Sequence, residues 1–308
     1  MTRLEELIEK YPVRRSYQQK KAFREYVISV AEELGAEAKV EKTCDGKNEN
    51  VVIGDVEHAK VVFTAHYDTP AASLFPNVMI PRNKPLFYLY QFAPIICMLL
   101  IGLAGGFAVQ AWTGGNRIAF LIAFMVIYYG AYFLMYRTFT NKNNYNDNTS
   151  GTAAVLTLLD RLESEKRREV AFILFDNEEK GKKGSKAYFQ DHGEYMKDKL
   201  LINFDCVGYG DQVIFIAKEG AEQKSEYASL CESFLEKDGF VPHFYPMKGS
   251  ESNSDYKNFP CGIGCMTCKK GKNGLLYTPR IHTVFDTVAN NENIEYIADG
   301  ICRFVKTI

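Results

Sequence analysis

The 308-residue chain sets 37 Lys and Arg against 38 Asp and Glu, a formal charge of −1, which excludes a nucleic-acid binder driven by electrostatics. With 46% apolar and 24% charged residues it can bury a sizeable core, so wholesale disorder is excluded as well. Eight cysteines fall far short of a disulfide scaffold, and the first residues lack the apolar core of an export signal, so reduced thiols facing a cytoplasm are expected.

In chain order, residues 17–34 repeat apolar positions at three- and four-residue spacing before Gly35, which predicts an amphipathic helix with a glycine stop. Short strands are predicted at 37–43 and 50–54 around the turn-rich CDGKNEN, and a buried strand at 60–66 (KVVFTAH). Beyond the middle of the chain come a helix at 151–163, strands at 169–176 and 199–207, a helix at 222–238, a strand at 261–268 and a closing helix at 292–307. Apolar strands alternating with helices indicate an α/β chain, a three-layer α/β/α sandwich with a mixed, mainly parallel sheet.

Residues 86–136 break this pattern. Residues 92–109 and 118–136 carry no charge, and the polar turn QAWTGGNR lies between them. Nineteen helical residues reach about 28 Å, close to the roughly 30 Å of a bilayer's hydrocarbon core. Two transmembrane helices, at about 86–109 and 118–136, are therefore expected, with Gly102, Gly105 and Gly106 allowing them to approach closely. A buried helical cap or a homodimer interface is the alternative. The domain expected from this is discontinuous: 1–70 with 141–308, and 71–140 as an insertion.

No HExxH zinc helix, phosphate loop, dinucleotide fingerprint or GxSxG elbow occurs. Instead, His, Asp and Glu recur just past the predicted strands: HYDT at 66–69, NDNTSG at 146–151, DNEEKGKKGS at 176–185, NFD at 203–205 and HT at 282–283. The carboxyl ends of strands are where open α/β sheets build their sites. Two imidazoles with several carboxylates suit a pair of divalent ions, zinc first.

These motifs, in this order, resemble those of the co-catalytic zinc aminopeptidases (peptidase family twenty-eight), to which glutamate carboxypeptidase and the glutaminyl cyclases are related. The resemblance implies a metallopeptidase that hydrolyses N-terminal peptide bonds with a water bridged by two Zn²⁺ ions, other divalent ions being possible. It assigns His66 and Asp205 to one zinc, Glu179 and His282 to the other, and Asp147 to the bridge. Glu178 would be the general base, and Asp68 the carboxylate that orients His66. Peptides or small amides are the expected partners. An amidohydrolase of N-acyl or lipid-linked amides, or a non-catalytic membrane scaffold with a structural metal site, are the rival readings.

Three departures from the family pattern stand out. Ile281 occupies the place where many members carry a tyrosine that steadies the oxyanion, and Tyr277 is a speculative substitute. Ser254-Asp255-Tyr256 stands where Ser-Asp-His is frequent. Eighty-one positions separate His66 from Asp147, the surplus being the apolar hairpin. Arg82 and Lys84 precede the first span and Arg137 and Lys142 follow the second, against Arg117 alone in the turn. Positive flanks stay inside, so a membrane protein with its catalytic domain facing the cytoplasm is expected. Cys261, Cys265 and Cys268 read as ordinary buried thiols.

Overall fold

The runs VVFTAH, VAFILF and LLINF form three neighbouring parallel strands in the computed structural model, which describes residues 1–73, 75, 77–136 and 139–308. A strand covered on both faces has no polar side to alternate with, hence runs that are apolar but for Thr64, His66 and Asn203, and buried Thr64 donates to Asn203 (2.8 Å). The strands are β1 (Ala38–Lys42), β2 (Glu49–Ile53), β3 (Val61–His66), β4 (Val78–Met79), β5 (Val170–Phe175), β6 (Leu200–Phe204), β7 (Gln212–Ala217), β8 (Val241–Pro246), β9 (Gly262–Lys270) and β10 (Leu276–Pro279). The helices are α1 (Arg3–Lys10), α2 (Tyr17–Glu33), α3 (Lys84–Trp112), α4 (Arg117–Tyr136), α5 (Gly151–Arg161), α6 (Ser164–Arg167), α7 (Lys183–Met196), α8 (Glu219–Glu222), α9 (Ser225–Ser233) and α10 (Asn291–Val305).

The sheet runs β1-β2-β5-β3-β6-β9-β10-β4, with β7 joined to β9 and β8. Its centre, β5-β3-β6-β9, is parallel, and antiparallel strands complete both sides. Alternate side chains feed two cores. Phe63 and Val61 of β3 pack with α1, α2, α5 and α10 on one face, and Val62 packs with Tyr188 and Met196 of α7 on the other. The layered α/β architecture expected from the sequence is the one observed.

One expected element is different. The helix predicted at 222–238 is two short helices, α8 and α9, and the chain turns extended at Phe234. Phe234 is buried against Phe215, Phe244 and Tyr296, and that packing outweighs the helical pattern.

The insertion is an antiparallel pair of long helices. At 1.5 Å per residue, α3 (29 residues) measures about 43 Å and α4 (20 residues) about 30 Å. A Cβ on Gly106 would stand 2.8 Å from the Phe120 ring, so the close crossing depends on glycine there. In their most apolar windows only 22% of α3 and 6% of α4 is buried, so the rest of the described residues do not cover them as a cap would. Both helices are long and apolar enough to cross a membrane. Of the basic flanks, Arg137 lies outside the described residues.

The hairpin is tied firmly to the sheet. β4 pairs with β10, and Ala71 bridges Thr140, so the insertion's two ends lie side by side. Arg82 donates to Ser250 (2.8 Å) and covers the Tyr245 ring, while Tyr88 donates to Glu251 (2.9 Å).

Candidate metal centre

Parallel β5, β3 and β6 end at one edge, so whatever follows each of them meets there: His66 closes β3, Glu178 and Glu179 follow β5, and Asp205 follows β6. Asp147 arrives from the turn before α5. His282 comes from the loop after β10, with a left-handed backbone at φ 58°.

Asn146 and Asn148 fix the Asp147 turn. The Asn148 amide group donates to the Phe204 carbonyl (2.9 Å) and its oxygen accepts the Gly151 amide (3.0 Å), which locks the start of α5 to the end of β6. The Asn146 side chain accepts the Gly208 amide (2.7 Å). The peptide between Asp147 and Asn148 is cis.

The seven predicted site residues converge. Asp147 spans the two histidines: its Oδ1 lies 3.4 Å from His66 Nε2, and its Oδ2 lies 2.9 Å from His282 Nε2. Asp205 approaches His66 Nε2 at 3.9 Å, and Glu179 approaches His282 Nε2 at 3.4 Å. His66–Asp147–Asp205 and Asp147–Glu179–His282 therefore form two donor sets sharing Asp147, with donor atoms within 4.8 Å in each. A third set, His66–Glu178–Glu179, overlaps them. His66 Nδ1 pairs with the Asp68 backbone carbonyl (3.1 Å), with the Asp68 carboxylate farther off at 3.5 Å; that carboxylate accepts the backbone amides of Glu178 (2.9 Å) and Glu179 (3.3 Å).

So many acids in one buried place disturb one another. Burial pushes the Glu179 carboxyl up to about 8, with Asp147 adding to the effect, and burial raises Glu178 well above its ordinary value. Burial and the neighbouring Asp147 raise Asp205. Burial opposes charge on the histidines, yet the surrounding carboxylates outweigh it and lift His282 to about 10. Glu179 Oε1 is buried with no hydrogen-bond partner. Buried carboxylates that lack partners need positive charge, and a mixed imidazole and carboxylate set suits a divalent ion such as zinc. The donors fit.

Residues 138–305 match the family model described as Peptidase family M28. The chain belongs to this family. No curated protein matches the chain. Among solved structures, the chain is similar to the Legionella pneumophila LapA aminopeptidase, at 14% identity over 99% of this chain and 68% of that one, with a TM-score of 0.59. A Zn-dependent exopeptidase from Parabacteroides distasonis follows at 13% identity, over 98% and 94% of the two chains, with a TM-score of 0.56. The glutaminyl cyclase of Porphyromonas gingivalis has 13% identity, 99% and 95% coverage and a TM-score of 0.55. At these identities the likeness is one of fold.

Membership of Peptidase family M28 makes the chain a zinc metallopeptidase. The family match begins after the hairpin, so His66 and Asp68 are tied to the centre by geometry alone. A cavity of about 570 Å³ opens over the cluster, lined by all the site residues except His66, which is buried. Ile281 lines it too. Tyr277 is absent from its lining, so the substitute oxyanion donor expected there is not in place. Cys261, Cys265 and Cys268 are free thiols on or beside β9 and belong to none of the donor sets found among the described residues.

Sequence reasoning missed one carboxylate. Asp286 accepts the backbone amides of Asn146 (3.1 Å) and Asp147 (2.9 Å), and burial pushes its carboxyl up to about 7. Its only signal is an acid four residues beyond His282. The region 252–256 also contributes: Asn203 donates to Ser254 (2.7 Å), and Ser185 donates to Asp255 (2.5 Å).

Proposed function

We propose that the chain is a membrane-anchored aminopeptidase that works with two zinc ions. The observation that carries this reading is the position of Asp147, whose two oxygens face different histidines. His66 and Asp205 would hold one ion, Glu179 and His282 the other, and Asp147 both. When bound, the ions supply Lewis acidity and neutralise charge that develops during hydrolysis. Glu178, at the wall of the cavity and outside the two sets that share Asp147, takes a proton from the attacking water and hands it to the leaving amine. Asp68 has two tasks: its backbone carbonyl, with the carboxylate behind it, orients His66, and its carboxylate holds the backbone of Glu178 and Glu179 in place.

Residues 1–70 and 141–308 form the catalytic domain, and α3 and α4 cross the bilayer. The basic residues Arg82, Lys84 and Lys142 support a cytoplasmic side for that domain, with Trp112, 87% exposed, at the far interface.

Purified full-length protein, stripped and reloaded with zinc, tests the reading. Two equivalents of zinc together with release of leucine from leucyl reporters are expected. Metal bound without turnover of any aminoacyl amide would overturn it.

A further inference from the structure

The cavity over the cluster does not end at the catalytic domain. Tyr90, Gln91, Pro94 and Ile95 of α3 and Tyr132 of α4 form one of its walls. On α3 these positions recur at i, i+1, i+4 and i+5, a single helix face. Tyr90, Ile95 and Tyr132 are each at least 36% exposed, so the described residues leave part of each side chain open.

Their depth can be placed. From Ile95 to Trp112 is 17 residues (112 − 95), about 25 Å of helix. With Trp112 at the far interface, Ile95 lies within about 5 Å of the near edge of a hydrocarbon core roughly 30 Å thick. The wall thus joins the carboxylate cluster in water to the surface of the bilayer. Apart from the Gln91 amide and the two tyrosine hydroxyls, this wall offers a substrate apolar surface only.

We infer that the enzyme acts on amides carrying an apolar tail, admitted at the near membrane interface, with the tail along Tyr90, Pro94, Ile95 and Tyr132 and the scissile amide at the cluster. The inference rests on the peptidase reading for the reaction itself, in which water's hydroxyl joins the carbonyl carbon and its proton goes to the amine as the C–N bond breaks. What it adds is the substrate's other half.

Leucyl amides of methylamine, butylamine, hexylamine and octylamine test it, with zinc-loaded full-length protein in nanodiscs. The kcat/KM should climb with tail length by up to about fourfold per buried methylene, the fold-change that corresponds to about 0.8 kcal/mol at 1.4 kcal/mol per tenfold. In Ile95→Asn the octyl-to-methyl ratio should fall at least tenfold. A climb that persists undiminished in the variant reports partitioning into the bilayer and overturns the inference, as does a flat series. N-octanoyl-leucine, with its tail on the other side of the amide and no free amine, should not be cleaved; its cleavage in place of the leucyl amides would overturn the amine-side tail and the aminopeptidase reading together. Binding gives a second readout: a reduced-amide octyl analogue ending in a diazirine should cross-link to α3 near Tyr90 and Ile95 or to α4 near Tyr132. Cross-links there with no leucyl amide cleaved would sink the aminopeptidase reading and leave the tail site standing. Cross-links confined elsewhere on the hairpin would sink the tail site.

Discussion

Asp286 accepts the backbone amide of Asp147 at 2.9 Å, so one buried carboxylate positions another across 139 residues of sequence. The second carboxylate oxygen of Asp286 takes the Asn146 amide (3.1 Å), so it holds two successive amides of the turn that aims Asp147 between the histidines. In Asp286→Ala these amides lose their acceptor. Zinc affinity or kcat should fall about 10- to 100-fold, the usual effect of removing a group that orients a ligand. Titration with a competing chelator, with circular dichroism to confirm folding, measures it. Unchanged affinity and unchanged kcat would remove Asp286 from the site.

Glu178→Gln keeps the shape of the side chain and both donor sets that share Asp147, but removes the proton carrier. Turnover should drop by a factor on the order of 10² to 10⁴ while two equivalents of metal remain. Because Glu178 also belongs to the overlapping set with His66 and Glu179, loss of one metal in this variant would recast it as a ligand.

Asp147→Ala should lose metal and activity together. Without the shared carboxylate, the two ions would face each other with less negative charge between them. Elemental analysis after gel filtration is the measurement, and two tightly retained zinc ions would move the bridge to a neighbouring residue.

Topology can be read from thiol labelling in intact cells. Asn116→Cys, in the turn between α3 and α4, should react with an impermeant maleimide from outside, and Lys142→Cys should not. Cys44, the exposed native thiol, serves as an internal control: it should label only after the cells are opened. Labelling of Lys142→Cys in sealed cells would reverse the orientation. Recovery of the protein in the soluble fraction without detergent would turn the hairpin into a cap or a dimer contact.

Much of the centre was legible because its donors sit where parallel strands end. The strands before His66, Glu178 and Asp205 are apolar except for Thr64 and Asn203, so they and their last residues could be read directly. Asp286 was not legible, since its partners are backbone amides and a backbone amide leaves no mark in a sequence. The two-residue strand β4 is too short for any alternation to register. The break at Phe234 depends on rings supplied by β7, β8 and α10, contacts that no local pattern contains.

With α3 and α4 in a bilayer as proposed, the bridge between Ala71 and Thr140 bears on how the enzyme could leave it. His66 precedes the hairpin and every other proposed ligand follows it, so a protease that nicks only one connector leaves both pieces tethered to the bilayer. Two cuts would free a split enzyme whose first fragment stays seated because β3 lies between β5 and β6. The same proximity gives a route to a water-soluble form: a short turn joining Ala71 to Thr140 spans neighbours already in register, and the metal centre could be assembled without any lipid at all.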